Sequence, residues 1–290
     1  MLVFHEIIPG ISVLETPFGG SWSGVTLVRG AENVLIDSGA NDAVVDDCLV
    51  PALRQASLAL DDIAWLISTH SHGDHIGGHY RIKELAGTPV AAFAGSHDKV
   101  REPLKYSKII RAKYPDYSPP PPPVLRGVTP DRYLADGERI AGRLRLVHTP
   151  GHDSDTVSWL DEPSGSLICG DSLQANGTAS QGIGFYQSLP EYRETLRRLR
   201  QMNLTNIIAG HEYLPIGATA LGAARVAACL DECLRLTDIY DQAINRAWAA
   251  GEHDLVRLTR GLIREMGGQE PAFLFLALYT VDEHLRLMQA

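Results

Sequence analysis

Four side chains able to hold a metal ion fall within the six residues His70-Ser-His-Gly-Asp-His75. Imidazole nitrogen and carboxylate oxygen bind zinc, iron or manganese, and the donor types alone select none of them. Alternate side chains of an extended segment point the same way, so His70 and His72 can reach one ion. Gly73 is expected to permit a bend that turns Asp74 and His75 towards a second ion. Buried together without a cation, four such groups repel one another or demand other partners. Three further donor segments follow: Thr149-Pro-Gly-His152, Cys169-Gly-Asp171 and Ala209-Gly-His211. His5, His79, His148, His253 and His284 stand alone and read as solvated or hydrogen-bonded residues.

Each donor segment ends an apolar run: 63–67, 143–147, 166–169 and 206–209. Strand ends are where a rigid scaffold delivers reactive groups to loops. Further strand signals occur at 11–14, 24–28, 33–37, 89–93 and 156–160, and helical ones at 41–56, 78–87 and 191–202. Alternating strands and helices predict a layered α/β architecture. After Pro215 the pattern reads as helix only, in three segments, with Pro271 in the first turn of the last. The expected division is therefore a core of residues 1–215 and a helical C-terminal appendage of residues 216–290. Phe273 to Tyr279 is apolar nearly all round, which requires burial on more than one face. That face would cover the site or form a homodimer interface. The proline run 119–123 reads as loop or polyproline II, either a surface connection or a rim of the substrate pocket.

The 290 residues carry a net charge of -9, with 44% hydrophobic and 21% charged residues, an ordinary globular balance. Lys and Arg are scattered, which argues against a nucleic-acid partner, and the sign argues against an anionic membrane surface. The start of the chain lacks the pattern of a signal peptide. Its most apolar segment, 271–280, is shorter than the ~20 residues of a membrane helix. Cys48, Cys169, Cys229 and Cys233 form no CxxC pair and suit a reducing cytoplasm. The expectation is a cytoplasmic protein acting on a small molecule.

His70-Ser-His-Gly-Asp-His75 resembles the HxHxDH signature of the metallo-β-lactamase superfamily. The three later donor segments resemble its remaining metal motifs, in order, and Val34-Leu-Ile-Asp37 resembles its early Asp-containing turn. The likeness covers residues 2–215. It implies a four-layer αβ/βα sandwich with the site at one edge of two sheets. It implies two divalent metal ions, zinc first, with iron or manganese as alternatives. His70, His72 and His152 would hold one ion and Asp74, His75 and His211 the other, with Asp171 bridging and Asp37 fixing the ligand loop. A shared hydroxide would attack the substrate, with Asp74 orienting it and carrying a proton to the leaving group.

Gly210-His-Glu-Tyr213 resembles glyoxalase II, a thioester hydrolase. Ala228 to Leu236 and the helical tail resemble quinolone-signal response thioesterases. These likenesses imply hydrolysis of a small acyl substrate, a thioester first. An acyl-homoserine lactone or other ester comes next, then a phosphodiester. A mononuclear-iron sulfur dioxygenase and a ligand sensor that retains its metals are the readings outside this class. Phe185 and Tyr186, in the Gly-rich segment 172–189, and Ser96 and His97, after a strand, are the expected substrate contacts.

Overall fold

Short apolar runs separated by Gly and Asp turns build the first half of the chain into β1 (His5–Ile8), β2 (Ile11–Phe18), β3 (Ser21–Val28), β4 (Asn33–Ile36), β5 (Ile63–Ile67), β6 (Val90–Phe93) and β7 (Arg132–Leu134). In the computed structural model, which describes residues 2–289, they form one sheet in the order β1-β2-β3-β4-β5-β6-β7. β1 to β4 pair antiparallel through turns, whereas β4 to β7 pair parallel. Parallel neighbours require crossovers, and helices supply them. α1 (Asp42–Val44) passes through a π turn (Val45–Leu49) into α2 (Val50–Gln55), and α3 (Gly73–Ile76) and α4 (His79–Ala86) follow β5. The cap of α1 is Asn41, whose side chain accepts the Val44 N–H at 3.0 Å.

Before the proline run 119–123 the chain forms α5 (His97–Arg101) and α6 (Pro103–Ala112). The second half forms β8 (Arg139–Ile140), β9 (Leu144–His148), β10 (Val157–Asp161), β11 (Ser166–Gly170), α7 (Leu189–Arg200), β12 (Asn206–Tyr213) and β13 (Gly217–Leu221). These strands make a second sheet, ordered β13-β12-β11-β10-β9-β8. The helix-only expectation after Pro215 does not hold: β13 pairs antiparallel with β12 before α8 (Ala223–Ala249), α9 (Leu255–Glu265) and α10 (Leu274–Met288) begin. Gly-Ala-Thr-Ala-Leu has weak strand propensity, and pairing with β12 decides it. Pro271 precedes α10 rather than opening it.

Three apolar interfaces stack these elements into four layers. Val45, Leu49, Leu53 and Ile82 pack on Leu35, Leu66 and Val90 of the first sheet. Val13, Ile36, Ile67, Leu146, Trp159 and Ile208 fill the space between the sheets. Leu196, Leu230, Cys233 and Leu278 pack on Leu167, Cys169 and Ile207 of the second sheet. This is the αβ/βα sandwich expected from the motifs. Trp159 is fully buried between the sheets, and its indole N–H donates to the Ser68 carbonyl at 3.0 Å. That bond ties the second sheet to the loop carrying His70. Among the described residues, no helix is long and apolar enough to cross a membrane.

Candidate metal centre

Donors arrive from both sheets at one edge of the sandwich. His70 and His72 leave β5, and the chain turns into α3 directly after His72, which keeps extended angles (φ -70°, ψ 149°) as the N-cap. The turn therefore comes from the strand-to-helix change at His72, not from special freedom of Gly73, whose φ lies outside the left-handed region. Asp74 and His75 occupy the first turn of α3. His152 follows β9, Asp171 follows Gly170 at the end of β11, and His211 sits within β12. Candidate donor atoms converge in three overlapping groups, His70-His72-His152, His70-His75-Asp171 and Asp74-His75-His211, each with its atoms within 4.8 Å of one another. β12 approaches this cluster at Gly210, where a Cβ would lie 2.8 Å from Asp171 Oδ1 and 2.8 Å from His75 Cε1. Only glycine leaves those two side chains undisturbed.

Outer contacts set which nitrogen of each ring faces inward. His152 Nδ1–H donates to the Phe185 carbonyl at 2.9 Å, and His211 Nδ1–H donates to the Trp22 carbonyl at 2.6 Å. His75 Nδ1 faces Asp37 Oδ2 at 2.8 Å. Thr69 Oγ1–H donates to Asp37 Oδ2 at 2.8 Å, so its oxygen accepts from His70 Nδ1–H at 3.1 Å. Nε2 of all four rings is then the acceptor nitrogen. His72 is turned the other way: Nδ1 faces His152 Nε2 at 3.0 Å and Nε2 lies 3.4 Å from Asp153 Oδ2. His75 Nε2 and His211 Nε2 face each other at 3.3 Å. Lone pairs so close repel unless a proton or cation lies between them. His70 Nε2 and Asp171 Oδ1 are buried without a hydrogen-bond partner. Orphaned donor atoms beside converging lone pairs fit divalent metal ions held by imidazole and carboxylate. The two Asp171 oxygens face opposite sides, Oδ1 towards His75 at 3.2 Å and His211 at 3.5 Å, Oδ2 towards His152 at 3.6 Å.

Two carboxylates brace the cluster from behind. Asp37, at a left-handed φ of 65°, accepts the Thr69 N–H at 2.8 Å as well as the Thr69 hydroxyl and His75. Asp153, absent from the expected site residues, is the second. It accepts from Lys99 and from the Tyr106 hydroxyl, and it faces His72. Lys99 also reaches Asp155 at 3.0 Å, and Asp155 accepts the Ser71 hydroxyl at 2.5 Å. Two acids directly after a ligand, in His152-Asp-Ser-Asp155, are the sequence signal for this brace. Lys99 and Tyr106 come from α5 and α6 and carry none.

Burial and then the neighbouring imidazoles, His75 foremost, keep the His70 imidazole well below its usual pKa. Burial and then His72 lower His152 to about 4. Burial opposes a charge on His75 too, but Asp171, Asp74 and Asp37 outweigh it and raise it well above the ordinary value. Burial likewise presses Asp74 and Asp171 upward, yet His75 and His211 hold both below the usual carboxylate range. Asp153 is also held low, burial being outweighed by His72 and then Lys99. Asp155 is raised by burial and then by Asp153.

The cluster forms the floor of a cleft of about 490 Å3. Phe18, Phe185, Phe273, Phe275 and Leu276 give it apolar walls, and Pro119, Pro120 and Pro122 form part of its rim. Phe185 reaches the floor, its ring centroid 4.9 Å from that of His152. Tyr186, one residue on, points the other way: it is 1% exposed, and its hydroxyl meets His284 Nε2 at 2.6 Å. Ser96 and His97 are not brought to the cleft either. Ser96 donates its hydroxyl to the Phe93 carbonyl at 2.7 Å, and His97 packs on Tyr133 at the surface, with ring centroids 5.1 Å apart. A 3-10 turn, Ala94–Ser96, after β6 carries them away.

The two-sheet sandwich with His and Asp donors at its edge defines a class, and comparison with known proteins gives the family. The family model for the metallo-beta-lactamase superfamily matches residues 18–211, and the chain belongs to that superfamily. A hydroxyacylglutathione hydrolase of Methylococcus capsulatus is 31% identical over 189 residues, covering 62% of this chain and 60% of that protein. One from Rhodospirillum rubrum is 29% identical over 176 residues, covering 59% and 57% respectively. The chain thus spans less than two thirds of the length of these relatives. Among solved structures, a metallo-beta-lactamase family protein from Thermus thermophilus superposes with a TM-score of 0.77 at 22% identity, covering 98% of this chain and 96% of its own. A beta-lactamase domain protein from Burkholderia ambifaria gives 0.74 at 19% identity, covering 99% and 87%. These two likenesses bear on the fold alone.

Proposed function

We propose that this chain is a metal-dependent hydrolase of a small acyl substrate, with thioesters ahead of lactones and other esters, and phosphodiesters last. The observation that carries the reading is the convergence of seven donors, with inward lone pairs, on the floor of a mostly apolar cleft. His70, His72 and His152 would hold one divalent ion, and Asp74, His75 and His211 a second. Asp171, with one oxygen towards each group, would serve both. Zinc is the first choice for this donor set. Such ions supply Lewis acidity and acidify water towards neutrality, the chemistry that hydrolysis of an acyl carbon requires.

The chain's own groups do the rest. Asp74, the more open of the two central carboxylates with its side chain 13% exposed, orients water and passes a proton towards the leaving group. Asp37 and Asp153 hold His75 and His72 in the tautomers and directions that ligation requires. Phe18, Phe185, Phe273 and Leu276 exclude water from the acyl part. A cleft with apolar walls and, among the described residues, a single lining cation suits a small acyl group, whereas a phosphodiester polymer favours an open, basic groove. Thioester preference draws support from the similarity to two hydroxyacylglutathione hydrolases. We assign the floor to a catalytic core and the roof partly to the C-terminal helices, and we place their border after β13 rather than at Pro215.

A matched panel of acyl-CoA and glutathione thioesters, acyl-homoserine lactones and a chromogenic phosphodiester, read as kcat/KM on metal-loaded protein, tests this reading. Thioesters should lead. A phosphodiester preferred by more than about tenfold, ~1.4 kcal/mol in the transition state, overturns the acyl assignment.

A further inference from the structure

One cation in the cleft has no ionic partner. Arg111, in the last turn of α6, is the sole Lys or Arg among the described residues that line it. Its Nη1 donates only locally, to the Ser107 carbonyl at 3.0 Å and the Ser107 hydroxyl at 2.6 Å. Its Nε is buried with no hydrogen-bond partner, and among the described residues Nη2 has none either. No carboxylate of the described residues lies within ion-pair distance, although most arginines of this chain have one. Phe275 of α10 lies beside the guanidinium, 5.7 Å from Cζ to ring centroid, and closes one side. Burial disfavours the charge, and the only carboxylate whose field resists that is Asp74, on the floor of the same cleft.

A partly desolvated guanidinium with an unpartnered Nη2, lining a cleft above a metal-binding floor, is costly unless something fills it. The geometry points to Arg111, assisted by the Ser107 hydroxyl, as the anchor for a carboxylate carried by the substrate at a distance from its scissile carbonyl. The inference rests on the acyl-hydrolase reading and narrows its substrate class. Nη2, which unlike Nε is not shut away from the cleft, offers its N–H groups to one carboxylate oxygen, and the Ser107 hydroxyl can donate to the other. A single positive charge favours a monoanion over a phosphate dianion or the polyphosphate of a coenzyme, which would call for several cations. The substrate class is therefore an ester or thioester whose acyl part ends in a free carboxylate, or one bearing it on a small leaving group.

The test separates binding from turnover. Zinc-loaded protein is titrated calorimetrically with succinate, glutarate and adipate, with monocarboxylates of equal length, and with 4-phosphonobutyrate. A dicarboxylate reaches both floor and arginine, whereas a monocarboxylate reaches one. At the best chain length the dicarboxylate should bind at least about tenfold tighter than its monocarboxylate match. R111Q should reduce that ratio to near one. R111K, which keeps charge but loses the Nη2 donors beside Ser107, should fall between, and it serves also if R111Q does not fold. A ratio near one in the parent protein at every length, or one that survives in R111Q, overturns the anchor. So does tighter binding of the phosphonate by tenfold or more. A second comparison sets neutral acyl esters against acid-ended ones as substrates. If both are hydrolysed equally, the anchor fails and the hydrolase reading stands. If the dicarboxylate ratio holds but no ester or thioester is cleaved, the anchor stands and the hydrolase reading fails.

Discussion

The floor and the roof of the cleft are held by different forces. On the floor each histidine has a second contact behind it: Asp37 behind His75, Thr69 behind His70, the Phe185 and Trp22 carbonyls behind His152 and His211, and Asp153 behind His72. Ring direction and tautomer are set before any substrate arrives. The roof is made of ring faces and proline edges from α6, the proline run and the start of α10. Its members meet by packing, as where Phe18 stacks on Phe273 at 6.1 Å and Tyr114 meets Tyr279 edge-on at 5.2 Å. Hydrogen-bonded floors tolerate little displacement, while apolar walls can re-pack. On this view the floor sets the reaction and the roof sets which substrate reaches it.

The largest expected effect lies at the centre of the floor. Asp171→Ala should lower the occupancy of both ion positions and reduce kcat/KM by about a thousandfold or more, roughly 4 kcal/mol in the transition state. Asp74→Asn should cause a similar loss while the far-UV circular dichroism stays that of the parent. Full metal content and full turnover in Asp171→Ala would contradict its shared role.

Next come the braces. Asp37→Asn and Asp153→Asn each keep the shape and weaken the pull on one histidine. Each should cost about 10- to 100-fold in metal affinity or turnover. Competition with a chromogenic chelator measures it. Were Asp153→Asn harmless and Asp37→Asn not, the contact behind His72 would do nothing for ligation and the symmetry of the floor would be lost.

A third effect concerns stability. His79 is buried beneath the floor, with Nδ1 2.7 Å from the Ser38 hydroxyl, and burial and then His75 lower its imidazole to about 3. The unfolded chain takes up that proton near pH ~6.5. The neutral ring's contribution is therefore whole above about pH 6.5 and is lost progressively as the pH falls from there towards about 3. Replacement by Asn should remove that slope, on the order of 5 kcal/mol across the range, from urea unfolding curves. An unchanged slope would mean that His79 is protonated in the folded state.

The smallest effect belongs to the roof. Phe273→Ala removes a ring that is only partly buried. It should change KM by a few-fold with kcat nearly kept, and the change should differ between short and long acyl chains. A uniform fall in kcat for all substrates would place Phe273 with the floor.

The same division governs what is legible in the chain. Floor donors follow apolar strand signals, and four of them crowd into 70–75, so both their scaffold and their chemistry can be read locally. The roof comes from α6, the proline run and the start of α10, and the brace behind the floor takes Lys99 from α5, elements brought together only by tertiary packing. Nothing local in Lys99, Tyr106 or Arg111 marks them as neighbours of the site. Phe185 and Tyr186 show the limit well: adjacent residues of an extended segment face opposite ways, and composition alone does not choose which faces His152. Ser96 and His97 mimic His70 and His72 in following a strand, which is why the pattern places them wrongly at the site. A 3-10 turn intervenes after β6, whereas β5 leads straight to its donors. β13 leaves no strand signal because its small residues become strand only beside β12.

Metal stoichiometry tests the central claim most directly. Protein purified without chelator, supplied with zinc, manganese or iron and freed of excess ion, is analysed for bound metal per chain. Two ions per chain, falling towards one or none when Asp171 is replaced, is the outcome the two opposed donor groups predict. A value fixed near one under every supply would contradict the dinuclear centre and with it the roles of Asp74, Asp171 and His211.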